Sequence, residues 1–318
     1  MERGLMDRSS RIFIAGHRGL VGGALLRKMR QDGFDPIVRG REELDLLDQD
    51  VTHRFFRNEQ IEYAVIAAGL VGGVHANSTR QADFLYENIL IAANTIHAAF
   101  AASTEKLLFL GSSCIYPRLA PQPINESALL TGPLEPTNEG YAVAKIAALK
   151  LCEMFARQYG KRFISAMPTN LYGPGDNFHP DHSHVIPGMM RRFHEAKFAG
   201  AKEVRIWGTG KPLREFLHVD DLADALVVLL ERYEDLQTIN IGSGEEVSIR
   251  QLAETMRDVV GFPGAIAFDA SKPDGMPRKF LDSSRMRALG WAPKHSLREG
   301  LASTYRWAVE GDAFRSAA

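Results

Sequence analysis

Through its first half the chain alternates short apolar runs with longer stretches of helical periodicity. Ile12-Phe13-Ile14-Ala15, Tyr63-Ala64-Val65-Ile66, Leu107-Leu108-Phe109-Leu110 and Phe163-Ile164-Ser165-Ala166-Met167 read as buried strands, mostly apolar and ending beside small residues or proline. A weaker strand is expected near Ile37-Val38. Between the strands, apolar residues recur at helical spacing through Leu25, Leu26 and Met29, from Asp83 to Ala102, and from Tyr141 through Leu149 and Phe155 to about Tyr159. This order predicts an α/β protein with a Rossmann-type doubly wound parallel sheet and a smaller C-terminal substrate-binding lobe. Residues 1–10 are polar and read as a frayed tail, 11–173 as the nucleotide-binding domain, and 174–318 mainly as the substrate lobe. Part of 215–243 is expected to return to the first domain.

The turn after the first strand carries Gly16-His17-Arg18-Gly19-Leu20-Val21-Gly22, three glycines at a spacing of three between a strand and a helix. Glycines there let backbone approach a pyrophosphate seated on the helix N-terminus. After the second strand, where an acidic residue usually holds a ribose hydroxyl, the chain has Arg39-Gly40-Arg41. Arginine suits a 2′-phosphate, so Arg18 and Arg41 are expected to form a clamp that favours NADP over NAD. Asn88, on the helix that follows, is a candidate brace for the loop at Val71-Gly72-Gly73-Val74.

Chemistry concentrates where the third long strand ends. Gly111-Ser112-Ser113-Cys114 leaves the sheet edge, and Tyr141-x-x-x-Lys145 places a phenol and an amine on one helical face. An ammonium near a phenol favours the phenolate, and a serine hydroxyl can share a carbonyl oxygen. Ser112, Tyr141 and Lys145 thus make a proton-transfer unit for reducing a ketone or oxidising an alcohol. His179, His182 and His184 fall within six residues, but helical His-x-x-x-His spacing and matching thiols are missing, so no metal is expected. His184, just before an apolar helix, is the better acid–base candidate. Farther on, Trp207 can stack on a base while Arg192 and Arg214 can bind phosphates.

Bulk properties narrow the class. A net charge of -1 gives no general attraction to nucleic acid or membrane surfaces. No apolar run approaches the roughly 18 residues of a membrane helix, and the first ten residues lack a signal-peptide core. The only cysteines, Cys114 and Cys152, form no disulfide framework, and a reducing cytoplasm fits best.

The glycine turn, Ser112 and Tyr141-x-x-x-Lys145 together resemble the extended short-chain dehydrogenase/reductase superfamily of nucleotide-sugar enzymes. Longer strings are similar to one family within it, the GDP-L-fucose synthases, which are 3,5-epimerase-4-reductases. They include Gly111-Ser112-Ser113-Cys114-Ile115-Tyr116-Pro117, Met167-Pro168-Thr169-Asn170-Leu171-Tyr172-Gly173-Pro174, Ser183-His184-Val185-Ile186-Pro187, Arg214-Glu215-Phe216-Leu217-His218-Val219-Asp220-Asp221 and Asp269-Ala270-Ser271-Lys272-Pro273-Asp274-Gly275. The resemblance spans about residues 11 to 310. It departs at Gly69-Leu70, where some relatives carry a lysine.

That resemblance implies NADPH as cofactor, GDP-4-keto-6-deoxy-D-mannose as substrate, GDP-L-fucose as product, and a homodimer. It assigns Ser112, Tyr141 and Lys145 to carbonyl reduction, and Cys114 and His184 to epimerisation at carbons 3 and 5. It adds Leu110, Gly111, Pro168, Thr169, Asn170, Leu171 and His184 to the cofactor contacts, and Asp274 to Arg192, Trp207 and Arg214 around the GDP-sugar. Which of Cys114 and His184 is base and which acid stays open at this level. A dehydratase of the superfamily would carry an acid pair where this chain has Cys114-Ile115. A 4-epimerase with tightly held NAD fits poorly with the arginine pair.

Overall fold

A computed structural model describes residues 6–180, 182–272 and 274–314. Strand β1 (Ile12–Ala15) runs into helix α1 (Leu20–Gln31), and α2 (Gln49–Asn58) leads to β2 (Tyr63–Ile66). The short α3 (Val74–Thr79) and long α4 (Gln81–Ala101) precede β3 (Lys106–Leu110), and α5 (Glu139–Tyr159) precedes β4 (Arg162–Pro168). The expected loop at 71–74 is thus partly helical. The expected strand at Ile37-Val38 shrinks to one bridge, Ile37 against Phe13. With Pro36 before it and Arg39-Gly40 after, the segment offers too few apolar residues to extend the pairing.

After β4 the chain forms β5 (Asn170–Tyr172), α6 (Val185–Phe198), β6 (Glu203–Trp207), β7 (Leu213–His218), α7 (Val219–Arg232) and β8 (Ile239–Ile241). It ends with β9 (Glu246–Ser248), α8 (Ile249–Val260), β10 (Ala265–Asp269), β11 (Arg278–Lys279), α9 (Ser284–Ala288) and α10 (Leu297–Glu310). Helices α8 and α10 each begin with a capping box, Ser248 with Gln251 and Ser296 with Glu299.

The main sheet is parallel, in the order β1-β2-β3-β4-β8, with Ile37 on the outer edge of β1. Strand order therefore reverses at β1, which opens a crevice at the C-terminal ends of β1 and β2. Helices α1 and α7 cover one face through Leu25, Met29, Leu222 and Leu226; α2, α4 and α5 cover the other through Phe56, Ile96 and Cys152. A separate core gathers α6, α8 and α10 around Phe193, Met256 and Leu301, beside a two-stranded sheet of β6 and β10. Strand β7 pairs with β5, β11 and β9, and so ties the end of the first lobe to the second. At the start of the chain, Met6 packs on the first core and Asp7 holds Ser9 and Ser10 in a turn. Of the expected tail, Met6 alone packs on the core while residues 7–9 are exposed, and 1–5 lie outside the described residues.

One buried charge anchors this framework. The Lys106 ammonium, fully enclosed, donates to the carbonyls of Leu229, Leu230 and Tyr233 at 2.9, 2.8 and 2.7 Å and so caps the C-terminus of α7. Burial pulls its pKa down to about 8 against the opposing pull of Glu234. Replacing Lys106 by methionine keeps the packing but removes the hydrogen bonds from its ammonium to three carbonyls, of which Leu229 alone is seen to keep another donor, the Tyr233 N–H at 3.2 Å. We expect a loss of about 2–4 kcal/mol in stability, measured by urea unfolding, with turnover of the surviving folded enzyme unchanged.

Candidate active site

The glycine turn is built by close approach. Gly16 sits at φ +84°, and a Cβ there would come within 2.7 Å of the Ala68 nitrogen; at Gly22 it would lie 2.2 Å from the Gly16 carbonyl oxygen. Only glycine permits the left-handed turn at Gly16, and only its missing side chain at Gly22 lets α1 start against the strand. The cap residue Gly19 makes no side-chain hydrogen bond, and the first turn, with Leu20 and Val21, has no acidic residue. An anion therefore meets free N–H groups and no repelling carboxylate, which fits a dinucleotide pyrophosphate. Burial holds the pKa of His17 below its ordinary value, helped by the charge of Arg18.

The arginine clamp is not preformed. Arg18 makes a two-point pair with Glu42, at 2.5 and 3.0 Å, and Arg41 lies 3.8 Å from Asp45. Arg39 turns away to Glu59 and the Phe55 ring. Asn88 is buried and holds the loop at Leu70, accepting from its N–H and donating to its carbonyl, both at 3.0 Å.

Ser112, Cys114, Tyr141 and Lys145 converge at the end of β3. Ser112 caps a single 3₁₀ turn over Ser113–Ile115, its Oγ accepting from the Cys114 N–H at 3.3 Å. That turn swings the thiol back toward Tyr141, whose phenol feels both Cys114 and the Ser112 hydroxyl. Lys145 is buried, donates to the Leu110 carbonyl at 2.9 Å, and lies over the Tyr141 ring, 5.6 Å from its centroid. The sequence pattern placed Lys145 beside the phenol oxygen to lower its pKa. In the structure, burial pushes the Tyr141 phenol up, the neighbouring Cys114 adds to this, and the Ser112 hydrogen bond opposes it. Burial also pulls Lys145 down to about 8. Tyr141 is thus a protonated donor at neutral pH, the form that a carbonyl reduction consumes.

The segment 168–171 is clamped between lobes. Pro168 faces Ile241 in register, the Thr169 N–H donates to the Ile241 carbonyl at 2.9 Å, and Leu171 faces Leu217. Thr169 Oγ1 and Asn170 Nδ2 both donate to the Glu215 carbonyl. In the second lobe, Arg192 lies 5.8 Å from the Trp207 ring centroid, and Trp207 is 63% exposed. Arg214 is attracted by Asp274, which accepts from the Thr209 N–H at 2.6 Å and its hydroxyl at 2.7 Å. A flat exposed ring among cations and a fixed carboxylate has the chemistry to stack an aromatic base beside an anionic group.

Residues 12–242 match the sequence profile of the NAD dependent epimerase/dehydratase family. The chain belongs to this family. It is 59% identical over 304 residues to GDP-L-fucose synthase 1 of Arabidopsis thaliana, covering 95% of this chain and 94% of that one. It is 54% identical over 316 residues to the GDP-L-fucose synthase of Escherichia coli, covering 96% and 98%. Among solved structures, the GDP-L-fucose synthetase of Naegleria fowleri bound to NADP superposes with a TM-score of 0.89, at 28% identity over 97% of each chain.

In this family member the sequence pattern passed over three groups. Lys279, on β11, puts its ammonium 3.6 Å from the Cys114 sulfur. Glu215 is fully buried; its carboxylate accepts from the Gly244 and Leu281 N–H groups, and burial raises its pKa against those bonds. Asp176, whose side chain is only 4% exposed, lies 4.0 Å from Nδ1 of His184, whose side chain is half-exposed, and its Oδ2 has no hydrogen-bond partner among the described residues. His184 begins α6 without capping it through its side chain, and His179 stacks on His182 instead of joining it. A carboxylate spaced before His184 was visible in Asp176-Asn177; nothing local signalled Lys279 or Glu215. No helix among the described residues is long and apolar enough to cross a membrane.

Proposed function

We propose that this chain converts GDP-4-keto-6-deoxy-D-mannose to GDP-L-fucose, by epimerisation at carbons 3 and 5 and then reduction of the 4-keto group. The observation that carries this reading is the convergence of a thiol, a serine hydroxyl and a buried phenol at the end of β3. A simple reductase needs the last two; the thiol adds a base for carbon acids. Gly16, His17, Arg18, Gly19, Leu20, Val21 and Gly22 would hold NADPH, with Arg41 at its ribose side and Leu110, Gly111, Lys145 and 168–171 along its nicotinamide half. Bound there, NADPH supplies the hydride for carbon 4.

Protons next to a ketone are acidified, so an acid and a base on opposite ring faces invert carbons 3 and 5. Cys114 and His184 are that pair. Ser112 holds the 4-keto oxygen, Tyr141 gives it a proton, and Lys145 keeps the nicotinamide ribose in place. Arg192, Trp207, Arg214 and Asp274 bind the GDP portion. For the 2′-phosphate to reach Arg18 it must displace Glu42, an exposed pairing that costs little to break. A homodimer in the cytoplasm belongs to the same reading. Tyr86, Val143, Met154 and Tyr159, exposed on α4 and α5, support the dimer, and the two unpaired cysteines support the compartment.

Turnover of the 4-keto sugar in deuterated water, with NADPH or NADH, tests the proposal. The expected product is GDP-L-fucose carrying deuterium at carbons 3 and 5 by NMR, with NADPH preferred. Reduction without deuterium would reduce the activity to a 4-keto reductase and take the epimerisation roles from Cys114 and His184.

A further inference from the structure

Lys279 has an unusual set of neighbours for a lysine. It lies on the two-residue strand β11, paired in parallel with β7 at Arg214. Adjacent side chains on a strand point to opposite faces. Arg278 takes one face and is fixed there by both carboxylate oxygens of Glu246, at 2.7 and 2.5 Å. Lys279 takes the other and reaches the Cys114 sulfur at 3.6 Å. Among the described residues, no carboxylate lies within 4.0 Å of its ammonium, and the thiol is its one hydrogen-bond partner. Its strand is also held firmly: two residues on, the Leu281 N–H donates to the buried Glu215 carboxylate at 3.2 Å, and the Ile124 N–H donates to the Phe280 carbonyl at 2.7 Å.

A half-buried ammonium aimed at a sulfur stabilises negative charge there and has no competing anion to satisfy. We propose that Lys279 is a positioning residue that holds Cys114 as a thiolate, ready to act as a carbon base. This rests on the reading of Cys114 as an epimerisation residue. In the step it serves, the thiolate takes the proton from the carbon beside the ketone and becomes a thiol. The C–H electron pair moves into the enolate, whose oxygen bears the charge, while the Lys279 ammonium keeps its proton. The other titratable group facing the thiol is Tyr141, which is neutral and has the Ser112 hydroxyl as its hydrogen-bond partner.

Thiol alkylation of the full-length enzyme tests this without any substrate. Only Cys114 is accessible, because Cys152 is buried to 1% exposure and serves as an internal monitor of folding. With iodoacetamide at neutral pH and peptide mass spectrometry, Lys279→Met is expected to slow Cys114 labelling by about tenfold. Lys279→Arg, which keeps the charge, should label within about twofold of the wild-type rate. If Lys279→Met exposes Cys152 to labelling, Lys279→Gln replaces it and carries the same expectation. Unchanged Cys114 labelling in a folded neutral variant overturns the proposal. If GDP-sugar binding then weakens as well, Lys279 is a phosphate ligand. A second measurement separates this from the substrate reading. Lys279→Met should slow deuterium incorporation far more than reduction of an already epimerised 4-keto sugar. Slowed alkylation, with no deuterium incorporated by the wild type, would leave the Lys279–Cys114 pair standing and overturn the epimerase assignment.

Discussion

Tyr141→Phe is expected to lower the rate of 4-keto reduction by about 10²–10⁴-fold while deuterium exchange at carbons 3 and 5 continues. Phenylalanine keeps the ring that packs edge-on against Phe84 at 6.4 Å and carries Lys145 over its face. The substitution therefore removes one proton donor and little else. A stopped-flow measurement of nicotinamide oxidation, beside NMR of the exchanged sugar, separates the two steps; equal loss of both would refute the division of labour. The pH profile sharpens the point. A donor works while protonated, and burial lifts Tyr141 above its ordinary value of 10.0, so it loses no activity below that pH. Lys145, pulled down to about 8, loses its positive charge as pH rises through that value. Because kcat/KM reports groups of the free enzyme, its falling limb for reduction is expected near pH 8 and should vanish in Lys145→Met.

Cys114→Ser is expected to have the opposite signature. Deuterium incorporation should fall by about 10²–10³-fold, while hydride transfer to an already epimerised 4-keto sugar changes by less than about tenfold. Serine preserves the short turn after Ser112 and nearly the same volume, but its hydroxyl is a far weaker acid than a thiol, so Lys279 has no accessible anion to stabilise. NMR of the sugar recovered from deuterated water, without and with NADPH, reads both quantities on one sample. A serine variant that exchanges at the wild-type rate would move the base elsewhere and leave Cys114 a packing residue.

The two variants divide the site along a line visible in its construction. Tyr141, Lys145 and Ser112 belong to the sheet and helix of the first lobe, and their geometry rests on α5 packing against α4 and β4. Cys114 sits in the same lobe but takes its charged partner from the second, through β11 and the Glu215 hub that joins β7, β11 and the 168–171 segment. Relative movement of the lobes would therefore disturb the thiol more readily than the phenol. His184, also second-lobe, depends on α6 and on Asp176 just before it.

The sequence by itself determined the features that depend on near neighbours along the chain. The glycine turn was legible because a left-handed residue and a strand-to-helix junction occupy seven consecutive positions. The Tyr141–Lys145 pair was legible because a four-residue step along a helix is a fixed distance. The parallel sheet followed from the alternation of apolar runs and helical periodicity. Tertiary structure decided what depends on distant partners. Lys279 meets Cys114 across 165 residues, and Lys106 finds the end of α7 more than 120 residues away. Glu42 occupies Arg18 because a turn brings them together, which no spacing rule specifies. Tyr141 shows the reason most directly. Its partner was correctly placed along the helix, yet the direction of its pKa came from desolvation, a property of everything packed around it rather than of any one neighbour.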